Sequence, residues 1–346
     1  MSSSSVEFDP DAAALEGSGI YGLPHAPEES AVVLVPVPWD ATTSYRPGTA
    51  GGPAAILEAS RQVDLFDVET GRPYEGGIAM LPVSDEVRRW NAEARAAAEP
   101  IIAAGGRLDG REAEEGLALV NALGERLNGW VRAEVERWLA AGKIVGVVGG
   151  DHSVPFGAIA ALRARHPELG VLHVDAHADL RQAYEGFTWS HASIMFNVVE
   201  KLDVAQLVQV GIRDLGAAEH ARIEGSGGRI VTFFDAELKE RRFRGETWAA
   251  ECERIVAALP DEVWVSFDID GLDPTLCPHT GTPVPGGLSF AEANALIAAV
   301  ARSGRRIVGF DLNEVAPGPD GDEWDANVGA RLLYKLIGWT LVSRRG

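Results

Sequence analysis

Seven short apolar runs, rich in β-branched residues and separated by longer helical patterns, set the main constraint on how this chain folds. They are AVVLVPV (31–37), KIVGVVG (143–149), GVLHVD (170–175), AQLVQVG (205–211), RIVTFF (229–234), EVWVSFDID (262–270) and RIVGFDL (306–312). None alternates apolar with polar residues as a half-exposed strand does, so each reads as a strand buried on both faces. Helix-period patterns cover 112–140, 154–165, 246–259, 289–303 and 324–342. In LSFAEANALIAAVARSG (288–304), Ser289 caps, Glu292 completes a capping box and Gly304 closes the helix. Strands alternating with helices predict an α/β protein whose parallel sheet lies between helix layers. Residues 1–30, with Gly17, Gly19, Gly22 and Pro24, read as an arm, and 31–346 as one domain. The stretch 65–110, rich in Gly, Ala and acids without a clear period, reads as loop plus insertion.

At 346 residues and 46% hydrophobic, the chain can bury a sizeable core. Its net charge of −20 argues against nucleic acid or an anionic membrane as partner, since no excess of Lys and Arg is present to neutralise phosphates. It suits a small cationic substrate, although such a balance also serves solubility. The two cysteines, Cys252 and Cys277, have no paired spacing, so neither a disulfide framework nor a cysteine zinc site is expected. The polar, acidic N-terminus lacks a leader pattern and the apolar runs are too short to span a bilayer, which predicts a cytoplasmic protein.

Polar groups crowd the carboxyl ends of several predicted strands, where open parallel sheets bind ligands. GGDHS supplies Asp151 and His152, DAHAD supplies Asp175, His177 and Asp179, DID supplies Asp268 and Asp270, and NEVAP supplies Glu314. If the backbone stays extended, Asp175, His177 and Asp179 share one face, as do Asp268 and Asp270. Two like charges ~4 Å apart repel by roughly 4 kcal/mol at an effective dielectric of ~20, so gathered carboxylates need cations or strongly raised pKa values. Two divalent ions balance the four aspartates, and His152 and His177 add one nitrogen to each. A carboxylate-rich donor set without thiolate suits Mn²⁺, with Ni²⁺, Co²⁺ or Zn²⁺ as alternatives. His173, inside its strand, is placed to be a donor behind the ligands. His25, His166, His220 and His279 fit surface or core roles.

The chain resembles the ureohydrolase family of arginase, agmatinase and their relatives, on SYRPGTAGGPAAI (44–56), GGDHS (149–153), DAHADL (175–180), SFDIDGLDPTLCPHTGTPVPGGLS (266–289) and GFDLNEVAP (309–317). The resemblance implies a three-layer α/β/α sandwich around a mainly parallel eight-stranded sheet, a binuclear manganese site and a homo-oligomer, trimer or hexamer. It assigns His152, Asp175, His177, Asp179, Asp268 and Asp270 as metal ligands. It further implies a water activated between the metals, oriented by Asp179, with Glu314 pairing the guanidinium and His191 shuttling a proton or holding substrate. Thr282 is a candidate hydroxyl near the substrate. Urea plus an amine is the implied outcome.

Substrate choice falls to RQAYEGFTWSHASIMF (181–196). Arg181 stands where arginases usually carry Asn, and SHASIMF replaces the SHGTPF usual in agmatinases. Arg181 is placed either to bind a substrate carboxylate or to pair with Glu185. Tyr184, Phe187 and Trp189 either wall a small pocket or pack the loop. The residues tilt toward an agmatine-like amidinohydrolase with Arg181, Trp189, Thr282 and Glu314 touching substrate. Formimidoylglutamate, a guanidino acid or guanidine itself are the alternatives. A single-zinc deacetylase and a non-catalytic subunit are the rivals of another class; the first leaves Asp179, His152 and Asp268 without metal duty. Nucleotide binding is disfavoured, because GSGG (225–228) precedes a strand and no GxxxxGK[ST] loop exists.

Overall fold

A computed structural model describes residues 8–345. Eight strands form one sheet in the order β2-β1-β3-β8-β7-β4-β5-β6, every pairing parallel. They are β1 (Val32–Val37), β2 (Ile78–Met80), β3 (Ile144–Gly149), β4 (Gly170–Val174), β5 (Gln206–Ile212), β6 (Ile230–Phe234), β7 (Glu262–Asp268) and β8 (Arg306–Asn313). The short edge strand β2 is the one that the sequence did not announce.

The absence of alternation in the strands has its reason in two cores. Val32 and Leu34 of β1 face a layer built on α1 (Gly52–Ser60), α8 (Trp248–Ala257), α9 (Phe290–Arg302) and α10 (Trp324–Val342). Val33, Val35 and Val37 face the opposite layer of α2 (Asp85–Ala103), α3 (Arg111–Ala140), α4 (Phe156–Arg163) and α5 (Ile194–Leu202). Both faces are dry, so both are apolar. Two further helices, α6 (Ala217–Gly225) and α7 (Asp235–Phe243), follow β5 and β6. In α3, a 30-residue helix, the buried stripe Val120, Leu123, Leu127, Val131, Val135 and Trp138 keeps helical spacing. The capping box of α9 is formed: Ser289 Oγ accepts the Glu292 N–H, and Glu292 accepts the Ser289 N–H at 2.8 Å.

The stretch 65–110 is not loop and insertion. It carries β2 and the 19-residue helix α2, capped by Ser84 and burying Val87, Trp90, Ala94, Ala98 and Ile101. Alanine favours helix but contributes little apolar contrast, which hid the period. Residues 8–30 lack extended secondary structure, yet Ile20, Tyr21 and Leu23 are buried. Tyr21 bonds Ser60 of α1 through its N–H and Ala330 of α10 through its hydroxyl, at 2.9 and 3.0 Å. Residues 1–7, at the start of the expected arm, lie outside the described residues. Among the described residues no helix is long and apolar enough to cross a membrane.

Candidate active site

Four strand ends deliver the acids and imidazoles to one rim of the sheet. His152 follows β3, Asp175 follows β4, Asp268 ends β7 and Glu314 follows β8. The extended backbone expected beyond β4 and β7 is not found. Beyond Val174 the chain is irregular, with Asp179 at φ +54°, and residues 269–271 form a 3-10 turn. The side chains converge because these segments curl back over the sheet, held by carboxylate caps. Asp175 Oδ1 accepts the His177 N–H at 2.6 Å and Asp268 Oδ1 accepts the Asp270 N–H at 2.8 Å. Asp179 and Glu314 (φ +62°) both occupy the left-handed region, which costs roughly 1 kcal/mol each and persists only where surroundings enforce it.

The convergence has two centres. His152 Nδ1 lies 3.0, 3.2 and 3.6 Å from oxygens of Asp175, Asp268 and Asp179. His177 Nδ1 lies 3.1 Å from Asp270 Oδ2 and 3.4 Å from Asp175 Oδ1. Asp175 presents Oδ2 to the first centre and Oδ1 to the second, and belongs to both of the metal-competent groups of side chains. Donors about 2.1 Å from one ion and at right angles are about 3 Å apart, so these separations fit cation ligation. His173 belongs to the first group as well, but its Nε2 is already committed to Asp175 Oδ2, at 2.8 Å.

The electrostatics point the same way. In the protein alone, burial and then neighbouring carboxylates push Asp179 and Asp268 well above the usual range. Burial, followed by Asp268 and Asp151, does the same to Glu314. Burial opposes charge on His152 and His177, yet the facing aspartates hold both well above an ordinary imidazole. Asp175 is the exception: burial is overcome by His173, His152 and His177, and its carboxyl stays well below the usual value. Carboxylates this crowded call for positive charge, and divalent cations supply it.

A cavity of about 170 Å³ opens over the second centre. His177, Asp179, Arg181, His191 and Thr282 line it, together with Ser44, Tyr184, Asp214 and Glu219. Burial, then the field of His177, lowers the His191 imidazole to about 4. Glu314 sits deeper: its Oε1 accepts the His152 N–H at 2.9 Å, and Thr280 Oγ1 bonds its carbonyl at 2.8 Å.

The loop after β4 bears on three residues whose roles were left open or expected at the substrate. Arg181 pairs with Glu219 at 3.5 Å, not Glu185, and its guanidinium stacks on Tyr184. Trp189, expected to touch substrate, is not among the residues lining the cavity; it packs on Phe156, Lys201 and Gly124. Phe187 is buried with Ile101 and Val120. Sequence reasoning also missed Asp214 and Glu219. Both follow β5, and the rule that sites gather at strand carboxyl ends pointed to RDLGAAE as it did to DAHAD.

The sequence matches the Arginase family over residues 30–338. The chain belongs to the arginase family. This ureohydrolase is 36% identical to an N(1)-aminopropylagmatine ureohydrolase of Thermus thermophilus, over 92% of its own length and 94% of the relative's. It is 30% identical to an agmatinase of Bacillus anthracis, over 90% and 93%. Among solved structures, agmatine ureohydrolase of Thermoplasma volcanium superposes with a TM-score of 0.73 at 23% identity, covering 94% of each chain. The metal-dependent hydrolase class and the eight-stranded parallel fold follow from the family.

Proposed function

We propose that this ureohydrolase cleaves a linear guanidine with a cationic tail, agmatine or an N-substituted agmatine, to urea and an amine. The observation that carries the choice is the charge at the cavity wall. Arg181 is neutralised by Glu219, which is itself held by the N–H groups of Leu180 and Gly216 at 2.9 and 2.7 Å. Asp214 is exposed and, among the described residues, its carboxylate has no partner. One uncompensated negative charge therefore faces the tail. The Thermus and Bacillus relatives, named for aminopropylagmatine and agmatine, agree with this reading.

His152, Asp175, Asp179 and Asp268 would hold one divalent cation and His177, Asp175 and Asp270 the other, with Mn²⁺ the best match to the donor set. When bound, such a pair lowers the pKa of water and polarises the reacting centre. Glu314 spends Oε1 on His152 and offers Oε2 to the guanidinium, fixing its carbon for attack. Asp179, on the cavity wall, accepts a hydrogen bond from the attacking water. His191, neutral at working pH, takes the proton released as the C–O bond forms and returns it to the departing amine as the C–N bond breaks.

Guanidino acids and formimidoylglutamate need Arg181 freed from Glu219, so they are expected to be poor substrates. The test is urea release from agmatine, aminopropylagmatine, arginine, guanidinobutyrate, guanidinopropionate and guanidine, and formamide release from formimidoylglutamate. The highest kcat/KM is expected for a cationic tail; a maximum on a carboxylate tail overturns the proposal. A homo-oligomer, trimer or hexamer, is part of the same proposal. Phe66 and Val68, 61% and 88% exposed in one loop, support it, and light scattering checks it.

A further inference from the structure

Behind the ligands, strand register aligns five polar side chains across five adjacent strands. Asp311 of β8 pairs with Ser266 of β7, Ser266 with His173 of β4, His173 with Gln209 of β5, and Gln209 with Thr232 of β6. The first four are fully buried. A polar row in the middle of a dry sheet is costly unless its groups are paired, so its protons can be followed donor by donor.

On one side, the Asp311 carboxylate only accepts. It receives the Ser266 hydroxyl at 2.9 Å, the Asn313 amide and the Trp264 indole. With its one proton given away, Ser266 Oγ accepts from His152 Nε2, 2.8 Å distant. The His152 proton is thereby placed on Nε2, and Nδ1 is left as a lone pair facing Asp175, Asp179 and Asp268.

On the other side, Thr232 donates to Gln209 Oε1 at 3.0 Å, which turns the Gln209 amide nitrogen inward. That nitrogen donates to the Ala178 carbonyl at 2.7 Å and to His173 Nδ1 at 3.0 Å. His173 Nδ1 is then the acceptor, and its Nε2–H donates to Asp175 Oδ2 at 2.8 Å. Both arms end on the first centre. The His177 ring of the second centre is 24% exposed and, among the described residues, its Nδ1 faces only Asp270 and Asp175.

We propose that this row is a positioning device for the first centre: it fixes the tautomers of His152 and His173 and makes that centre the tighter of the two. The inference rests on the metal reading above. It is tested on the full-length protein loaded with Mn²⁺, dialysed against graded Mn²⁺ and assayed for metal per chain, with Ser266→Ala on one arm and Gln209→Leu on the other. Each variant is expected to weaken the tighter Mn²⁺ equivalent by about 10–100-fold and to leave the weaker one unchanged. Unchanged affinities, or equal weakening of both equivalents, overturn the proposal. Wild-type protein that binds no Mn²⁺ overturns the metal reading instead. Where the variants fail to fold, ¹⁵N chemical shifts of Zn²⁺-loaded wild type decide: His173 is expected to be protonated at Nε2, and protonation at Nδ1 overturns the proposal.

Discussion

Glu314 Oε1 accepts the His152 backbone N–H at 2.9 Å, so the acid assigned to the guanidinium is tied to the backbone of a first-centre ligand, joining the chain beyond β3 to that beyond β8. Glu314→Gln keeps this acceptor and removes the charge. The expected loss is about 3 kcal/mol of transition-state stabilisation, roughly 150-fold in kcat/KM for agmatine, read by steady-state urea release. Metal content should stay at the wild-type value.

His191 gives a pH signature. Its imidazole lies at about 4 in the fold against an ordinary 6.5, because burial and then His177 disfavour its charge. Above 6.5 it is neutral folded or unfolded and costs nothing. As pH falls from 6.5 through 4, the unfolded chain binds the proton more readily, and stability is lost. Urea midpoints of wild type should therefore fall more steeply over that window than those of His191→Gln. Parallel curves would remove His191 from this role.

Asp214→Asn tests the tail charge. An exposed ion pair contributes up to about 1 kcal/mol, so kcat/KM for agmatine should drop roughly fivefold, mostly through KM. Guanidinobutyrate should improve relative to agmatine.

Metal removal should be visible in stability as well as in turnover. Cations that bind only the folded chain stabilise it by about 2.7 kcal/mol at 100 times Kd. Chelation is expected to lower the melting temperature and stop urea release, both restored by Mn²⁺. Metal analysis should give two ions per chain; a ceiling of one favours the single-zinc rival.

Trp189→Ala tests the placement of that ring. Its ring packs on Phe156 and Gly124, outside the cavity, so the substitution should cost about 2 kcal/mol in urea denaturation. KM for agmatine should be unchanged.

What was legible in the sequence was whatever the fold makes expensive. Buried aspartates behind apolar strands announced the rim, because such groups need partners wherever they sit. The route by which they meet was not legible: Asp179 converges through a left-handed turn, not through strand alternation. Helix α2 was masked by its alanines. Asp214 and Glu219 escaped notice because RDLGAAE resembles an ordinary helix start, which part of it is: Glu219 accepts the Gly216 N–H at 2.7 Å. The packing of Trp189 was not legible either, because nearness in sequence to His191 says nothing about which side of a loop a ring takes.

The last strand of the chain lies near the middle of the sheet, between β3 and β7. The first centre spans that gap, since His152 and Asp268 stand on either side of it, so a growing polypeptide completes that centre only after β8 has left the ribosome. Capture of a cation by the first centre thus waits on the last strand, and any truncation that removes β8 parts the two halves of that centre.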